Sequence, residues 1–226
     1  MKHSGDHNGL VELLLQKHGR LFSGEVGVHL ERAGPSALFR WLCASLLFSA
    51  RISASIAAKA ARALVDEGGW TTPQKMARSR WEERTHVLNA SGYARYDEST
   101  STMLGQSVDL LLDRYHGDLR ELRREAHCEP ARERELLREF KGIGDVGVDI
   151  FFREIQNTWD ELYPFADAKA LSVARKMHLG DDAKTLAGLV PRHDFPRLLS
   201  ALVRCGLAKE EEALMEEAAE TGRATA

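Results

Sequence analysis

Apolar positions recur along the chain at spacings of three and four, with no sustained alternation, which predicts helices throughout and no sheet. Leu13, Leu14 and Leu15 give the apolar side of a short helix over residues 11–18, and Gly19 ends it. Residues 23–34 read as a glycine-broken connection. Ser36 stands where it can cap a helix over 37–49, in which Leu38, Trp41, Leu42, Ser45 and Leu46 fall at helical spacing. That helix is apolar nearly all round, which puts it in the middle of the core. An alanine-rich helix follows and runs to about Glu67, where Gly68 and Gly69 stop it. Thr72 and Pro73 open another, with proline in the first turn, where its missing N–H costs nothing. Further helices are predicted over 79–89, 97–116, 168–175, 181–188 and 195–207, and the tail after Glu217 is expected to fray.

One stretch, residues 136–150, is written as two short helices joined by a tight turn. Leu137, Phe140, Ile143 and Val148 are spaced to pack the helices together, and Gly142-Ile143-Gly144 makes the turn. Glycine adopts backbone angles closed to other residues and admits a second backbone. The first amides of the following helix have no partner within it and carry the positive end of its dipole, which suits a phosphate. Taken alone, the pattern also describes an ordinary helix–turn–helix corner.

Composition narrows the class without deciding it. Of 226 residues, 43% are hydrophobic and 29% charged, which describes a soluble globular protein. No apolar run approaches the ~20 residues that span a bilayer, and residues 1–9 lack the apolar core of a signal peptide, so a cytoplasmic location is expected. Cys43, Cys128 and Cys205 are far apart and odd in number, giving neither a disulfide framework nor a metal-binding spacing. The net charge of −3 is concentrated in the tail. Residues 209–226 hold six glutamates against Lys209 and Arg223, so the rest of the chain is close to neutral. Between Asp118 and Lys141 the two signs balance, seven against seven, as on a solvated helical face.

Four motifs occur in order: Leu-Leu-Phe-Ser-Ala-Arg at 46–51, Ser-Gly-Tyr-Ala-Arg-Tyr at 91–96, Phe-Lys-Gly-Ile-Gly-Asp-Val-Gly-Val at 140–148, and Phe-Ala-Asp-Ala-Lys-Ala-Leu-Ser-Val-Ala-Arg at 165–175. Together they resemble the helix–hairpin–helix DNA glycosylase superfamily, which includes endonuclease III, over roughly residues 36–207. The resemblance implies an all-α fold of two helical lobes with a DNA-binding cleft between them. One lobe is residues 36–157; the other combines residues 1–35 with 158–226 and ends in the acidic tail. It further implies a DNA contact by Lys141, Gly142, Ile143, Gly144, Asp145 and Val146, largely through main-chain amides. The carbonyls of Arg138, Phe140 and Ile143 stand where relatives hold a structural K+ or Na+. Arg51 matches the position of a side chain that fills the gap left by a flipped base, and Tyr93 that of a wedge in the opposite strand; arginine can hydrogen-bond an orphaned base and tyrosine can stack on one.

Asp167 matches the family's catalytic aspartate. Breaking an N-glycosidic bond develops positive charge on the sugar, so a nearby carboxylate favours the transition state and can orient or deprotonate water. An aspartate there is also a good N-cap for the helix that follows. Two departures matter. Val146 occupies the position of the lysine that forms a Schiff base in bifunctional relatives, which implies hydrolysis without strand cleavage. Lys141 and Lys169 are the lysines nearest in sequence. The four-cysteine loop of many relatives is missing, so no iron–sulfur cluster is expected. The resulting expectation is a monomeric, monofunctional glycosylase acting on double-stranded DNA with a damaged or mismatched base. The alternatives are a non-catalytic lesion-binding protein, or an abasic-site lyase or endonuclease using a lysine outside the family position.

Overall fold

The structure, a computed structural model, describes residues 4–224, and the side chains of residues 9–221. The first three residues of the polar opening stretch lie outside them. The described residues are helical, with no strand. Along the chain the helices are α1 (Ser4–His18), α2 (Phe22–Glu25), α3 (Pro35–Ser49), α4 (Ala54–Asp66) and α5 (Pro73–Ala77). Then come α6 (Trp81–Ala90), α7 (Asp97–Tyr115), α8 (Leu119–Glu125), α9 (Pro130–Arg138) and α10 (Asp145–Ile155). The last are α11 (Ala168–Lys176), α12 (Ala183–Ala187), α13 (Phe195–Ala208) and α14 (Glu211–Ala224). Two compact units result: Phe22–Phe152, and Met1–Leu21 with Arg153–Ala226. The sequence put the boundaries at 35/36 and 157/158; here residues 22–35 fall in the larger unit, where Phe22 meets Phe48 of α3 edge-on at 5.4 Å, and residues 153–157 fall in the smaller one.

In the larger unit, α3 is buried without a break from Trp41 to Leu47, as its apolar pattern requires. Trp41 donates its indole N–H to the Phe151 carbonyl at 3.1 Å, satisfying the ring's one polar atom inside the core. Helix α4 packs on α3 with Ala57 and Ala60 fully buried, small side chains that let the backbones come close. Thr72 and Pro73 open α5 as predicted, and Thr72 caps it, accepting from the Lys75 amide at 3.3 Å. Ser36 does not cap α3. Its hydroxyl donates to the Thr71 carbonyl at 2.7 Å, and Gly34 takes the cap position, with Pro35 opening the helix.

In the smaller unit, α13 is the hub: α1 and α11 both pack on it. Gly206 permits the α11 contact, since a Cβ there would lie 2.4 Å from Val173 Cγ2. Arg197 and Arg204 of α13 donate to the carbonyls of Gly19 and Arg20, just past the end of α1, at 3.2 and 2.9 Å. The acidic tail is not frayed where the sequence predicted. It continues as α14 to Ala224, packed on α1 with Leu214 buried and Lys17 paired to Glu217.

Candidate nucleic-acid interface and catalytic carboxylate

The hairpin belongs to the larger unit. Helix α9 ends in a turn in which the Ile143 amide donates to the Phe140 carbonyl at 3.0 Å, and α10 starts at Asp145. Leu137, Phe140, Ile143 and Val148 are buried, as their spacing predicted, and Phe140 stacks on Tyr115 of α7 at 6.0 Å. The Ser107 hydroxyl donates to the Lys141 carbonyl at 3.0 Å and ties the turn to α7. Gly142 has φ +88°, in the left-handed region. A Cβ on it would sit 2.7 Å from Met103 Sδ. Gly144 is different: its φ is not positive, and nothing lies within 4 Å of where its Cβ would be. Its openness, rather than a special backbone angle, is what glycine supplies there.

Lys141, Gly142, Gly144, Asp145 and Val146 come together as the exposed face of the turn, with Val146 59% exposed. Ile143 turns its side chain inward and offers only main chain. The first α10 amide to bond a carbonyl within its own turn is that of Val148, to Gly144 at 3.0 Å, so the amides of 145–147 precede the helix's internal ladder. Charge at this mouth is mixed. Arg138 Nε lies 3.5 Å from Asp145 Oδ1, and Arg134 reaches both Asp145 at 3.9 Å and Asp149 at 2.7 Å. The carbonyls of Arg138, Phe140 and Ile143 are hard neutral oxygens, a donor type suited to K+ or Na+. Phe140 keeps a second lone pair after accepting the Ile143 amide.

Arg51 is exposed in the turn between α3 and α4, at the surface as its proposed role needs. Tyr93 is not. It is fully buried, its hydroxyl donates to the Leu47 carbonyl at 3.2 Å, and desolvation pushes its pKa up to about 12. A wedge cannot be a core residue. The exposed members of that loop include Ala94 and Arg95, and the Arg95 guanidinium lies over the Tyr96 ring at 5.4 Å.

Asp167 lies in the smaller unit, 4% exposed, at the start of α11. Its Oδ1 accepts the amides of Lys169 and Ala170 at 3.0 and 3.2 Å, so it is the N-cap the sequence allowed. Its Oδ2 accepts Arg153 Nε at 2.7 Å, both side chains being almost wholly buried. Burial alone would raise the Asp167 pKa. The Arg153 charge, its hydrogen bond and the two amides outweigh that and hold the carboxyl below the usual aspartate range. Partial desolvation and the Arg153 charge pull the Lys169 amine downward, with Asp167 opposing. Sequence reasoning missed Arg153. The one available signal was a charged residue inside the apolar run Ile150-Phe151-Phe152, Arg153-Glu154, Ile155, which a buried helix end tolerates only with partners.

The three cysteines are free thiols; burial raises Cys43 to about 12 and Cys205 to about 11, and Cys128 is exposed. Among the described residues no group of three or more His, Cys, Asp or Glu side chains is arranged to hold a metal ion, and no helix is long and apolar enough to cross a membrane.

The described residues thus form an all-helical fold with a glycine hairpin leading into α10 and an aspartate capping α11. Two solved structures are similar to the chain. A non-covalent endonuclease III–DNA complex matches with a TM-score of 0.52 and 17% identity, over 87% of this chain and 81% of that one. A trapped covalent endonuclease III–DNA intermediate with an estranged adenine aligns over 73% and 71%, at 16% identity and a TM-score of 0.47. The first of these likenesses assigns the fold: it is that of endonuclease III. No protein-family model matches the sequence, and neither does any curated protein.

Proposed function

We propose that the protein is a monofunctional DNA glycosylase that removes a damaged or mismatched base from double-stranded DNA. In this reading it acts as a monomer in the cytoplasm, a reducing compartment that suits its free thiols. The base leaves the stack, at a cost of a few kcal/mol that lesions reduce. The C1′–N bond then breaks with its electron pair passing to the base, and a water oxygen bonds to C1′ as the water gives up a proton, which ends on the departing base. Asp167 supplies the negative charge that favours the cationic sugar. The observation that carries this is the ionised Asp167 carboxylate, held at the head of α11 by amides that leave it little freedom. The hairpin's exposed main chain and open Gly144 support a phosphate contact, as does a fold shared with a protein solved on DNA. Arg51 is the candidate to fill the flipped base's place. A K+ or Na+ held by the carbonyls of Arg138, Phe140 and Ile143 would add positive charge beside that phosphate. No iron–sulfur cluster enters the reading, since three cysteines are one short of the four thiolates that ligate such clusters.

Val146 carries no amine, so no Schiff base forms at the family position. Incubating the protein with a panel of lesion-bearing duplexes should therefore give strand cleavage only after alkali, and Asp167→Asn should abolish it. Borohydride trapping on abasic DNA should yield no adduct; an adduct lost in Lys169→Ala or Lys141→Ala would identify a lyase and overturn monofunctional action. The Arg153–Asp167 pair also favours a second reading. A carboxylate neutralised at 2.7 Å stabilises a sugar cation poorly, and if the pair persists on DNA the protein binds lesions without chemistry. Tight lesion binding with no base released from any duplex would decide for it.

Asp145 puts an acidic side chain at the hairpin mouth, 66% exposed and close to Arg138. A phosphate must compete with it. Asp145→Asn is expected to tighten DNA binding several-fold at low salt and to steepen the salt dependence as Arg138 is released to the backbone. Filter binding across a salt series reads both; unchanged affinity would place the phosphate contact elsewhere.

A further inference from the structure

The end of α10 holds the Asp167 loop in two chemically different ways. Gln156, fully buried, pairs with the Phe165 backbone at two points: its Nε2 donates to the carbonyl at 3.1 Å, and its Oε1 accepts the amide at 3.0 Å. It also donates to the Arg153 carbonyl at 2.9 Å, which locks the two residues to each other. These contacts fix residue 165 whatever the charge nearby, and the α11 amides fix Asp167 Oδ1. Asp167 Oδ2 meets Arg153 instead. Backbone position and Oδ2 charge are therefore under separate control.

Resting on the glycosylase reading, we infer that the last turn of α10 and the residue after it govern Asp167 through two positioning residues: Gln156 sets where the carboxylate stands, and Arg153 sets whether its Oδ2 offers uncompensated charge. The division matters because only uncompensated negative charge discriminates between the neutral ground state and the cationic transition state. The charged side chains that act on or feel Asp167 include Arg153 from α10 and Lys169 from its own helix. Glu154, the next residue on α10, accepts the hydroxyl of Ser200 from α13 at 2.8 Å.

The test uses the full chain and follows the Asp167 side-chain carboxyl by carbon NMR through an acid titration, beside the pH profile of single-turnover base release. Arg153→Gln should move the Asp167 midpoint upward toward the ordinary aspartate range, with the acid limb of base release moving with it. Arg153→Lys, which keeps a cation, should restore the wild-type midpoint. Gln156→Leu should leave the midpoint in place, displace the Phe165–Ala170 amide resonances and lower kcat. A midpoint unmoved by Arg153→Gln, or moved as far by Gln156→Leu, overturns the inference. The Lys variant keeps it testable if the Gln variant fails to fold. If wild type releases no base from any lesion, the glycosylase reading fails, and the inference is decided by the titration alone.

Discussion

Arg153→Ala is expected to lower stability by about 3–5 kcal/mol, because it leaves Asp167 charged and uncompensated inside the smaller unit. Against the ~5–15 kcal/mol that holds a typical domain together, that is a large share, and urea unfolding should show it as a lower midpoint. Asp167→Asn should also be destabilising: asparagine keeps an acceptor for the two α11 amides, but it leaves the buried Arg153 cation uncompensated and turns an amide donor toward its Nε. Replacing both members, as in Arg153→Met with Asp167→Asn, should recover part of the Arg153→Ala loss, since no unpaired charge remains buried. The pH dependence has a definite sign. The Asp167 pKa is depressed in the folded state, so its contribution is present above the unfolded value of about 3.9. It is lost as pH falls through the lower folded value, and the gap between wild type and Arg153→Ala should close on acidification over that range. A gap that widened in acid would mean the pair does not hold Asp167 ionised.

The ion pair also marks where the sequence ceases to be readable. Helices announced by local chemistry were legible: Thr72 and Pro73 open α5, and Asp167 opens α11, because a cap and its amides lie within three residues of each other. The apolar run of α3 could only belong to a core. What escaped was set by distant partners. Arg153 and Asp167 are fourteen residues apart and meet only after the chain turns back on itself. Ser36 has a better acceptor in Thr71 than in its own helix. Tyr93 sits in a motif at the expected place, yet its ring is needed to fill space beneath α3, and no local pattern separates a loop aromatic that packs from one that projects. The tail looked solvated because its charges outnumber its apolar residues. Leu214 nevertheless finds a seat, and α1 supplies Lys17 for Glu217.

The two hairpin glycines should separate folding from binding. Gly142→Ala forces a residue with a Cβ into φ +88° and drives that carbon to 2.7 Å from Met103 Sδ and 3.1 Å from Leu46 Cδ1. The backbone penalty alone is about 1–2 kcal/mol, and overpacking adds about 1–3 more, so the variant should unfold at clearly lower urea. Gly144→Ala meets nothing within 4 Å and needs no unusual angle, and its stability should match wild type. Its new methyl would nevertheless stand in the open space before the first α10 amides, where a phosphate oxygen must come within about 3 Å to be bonded. Gly144→Ala should therefore weaken DNA binding by at least tenfold, about 1.4 kcal/mol, with the urea midpoint unchanged. A normal affinity would mean that the amides of residues 145–147 do not hold the backbone, and that the exposed turn serves the fold alone. The inverse pattern, with Gly142→Ala stable and only binding lost, would show that the left-handed turn is shaped for DNA rather than required by Met103 and Leu46 behind it.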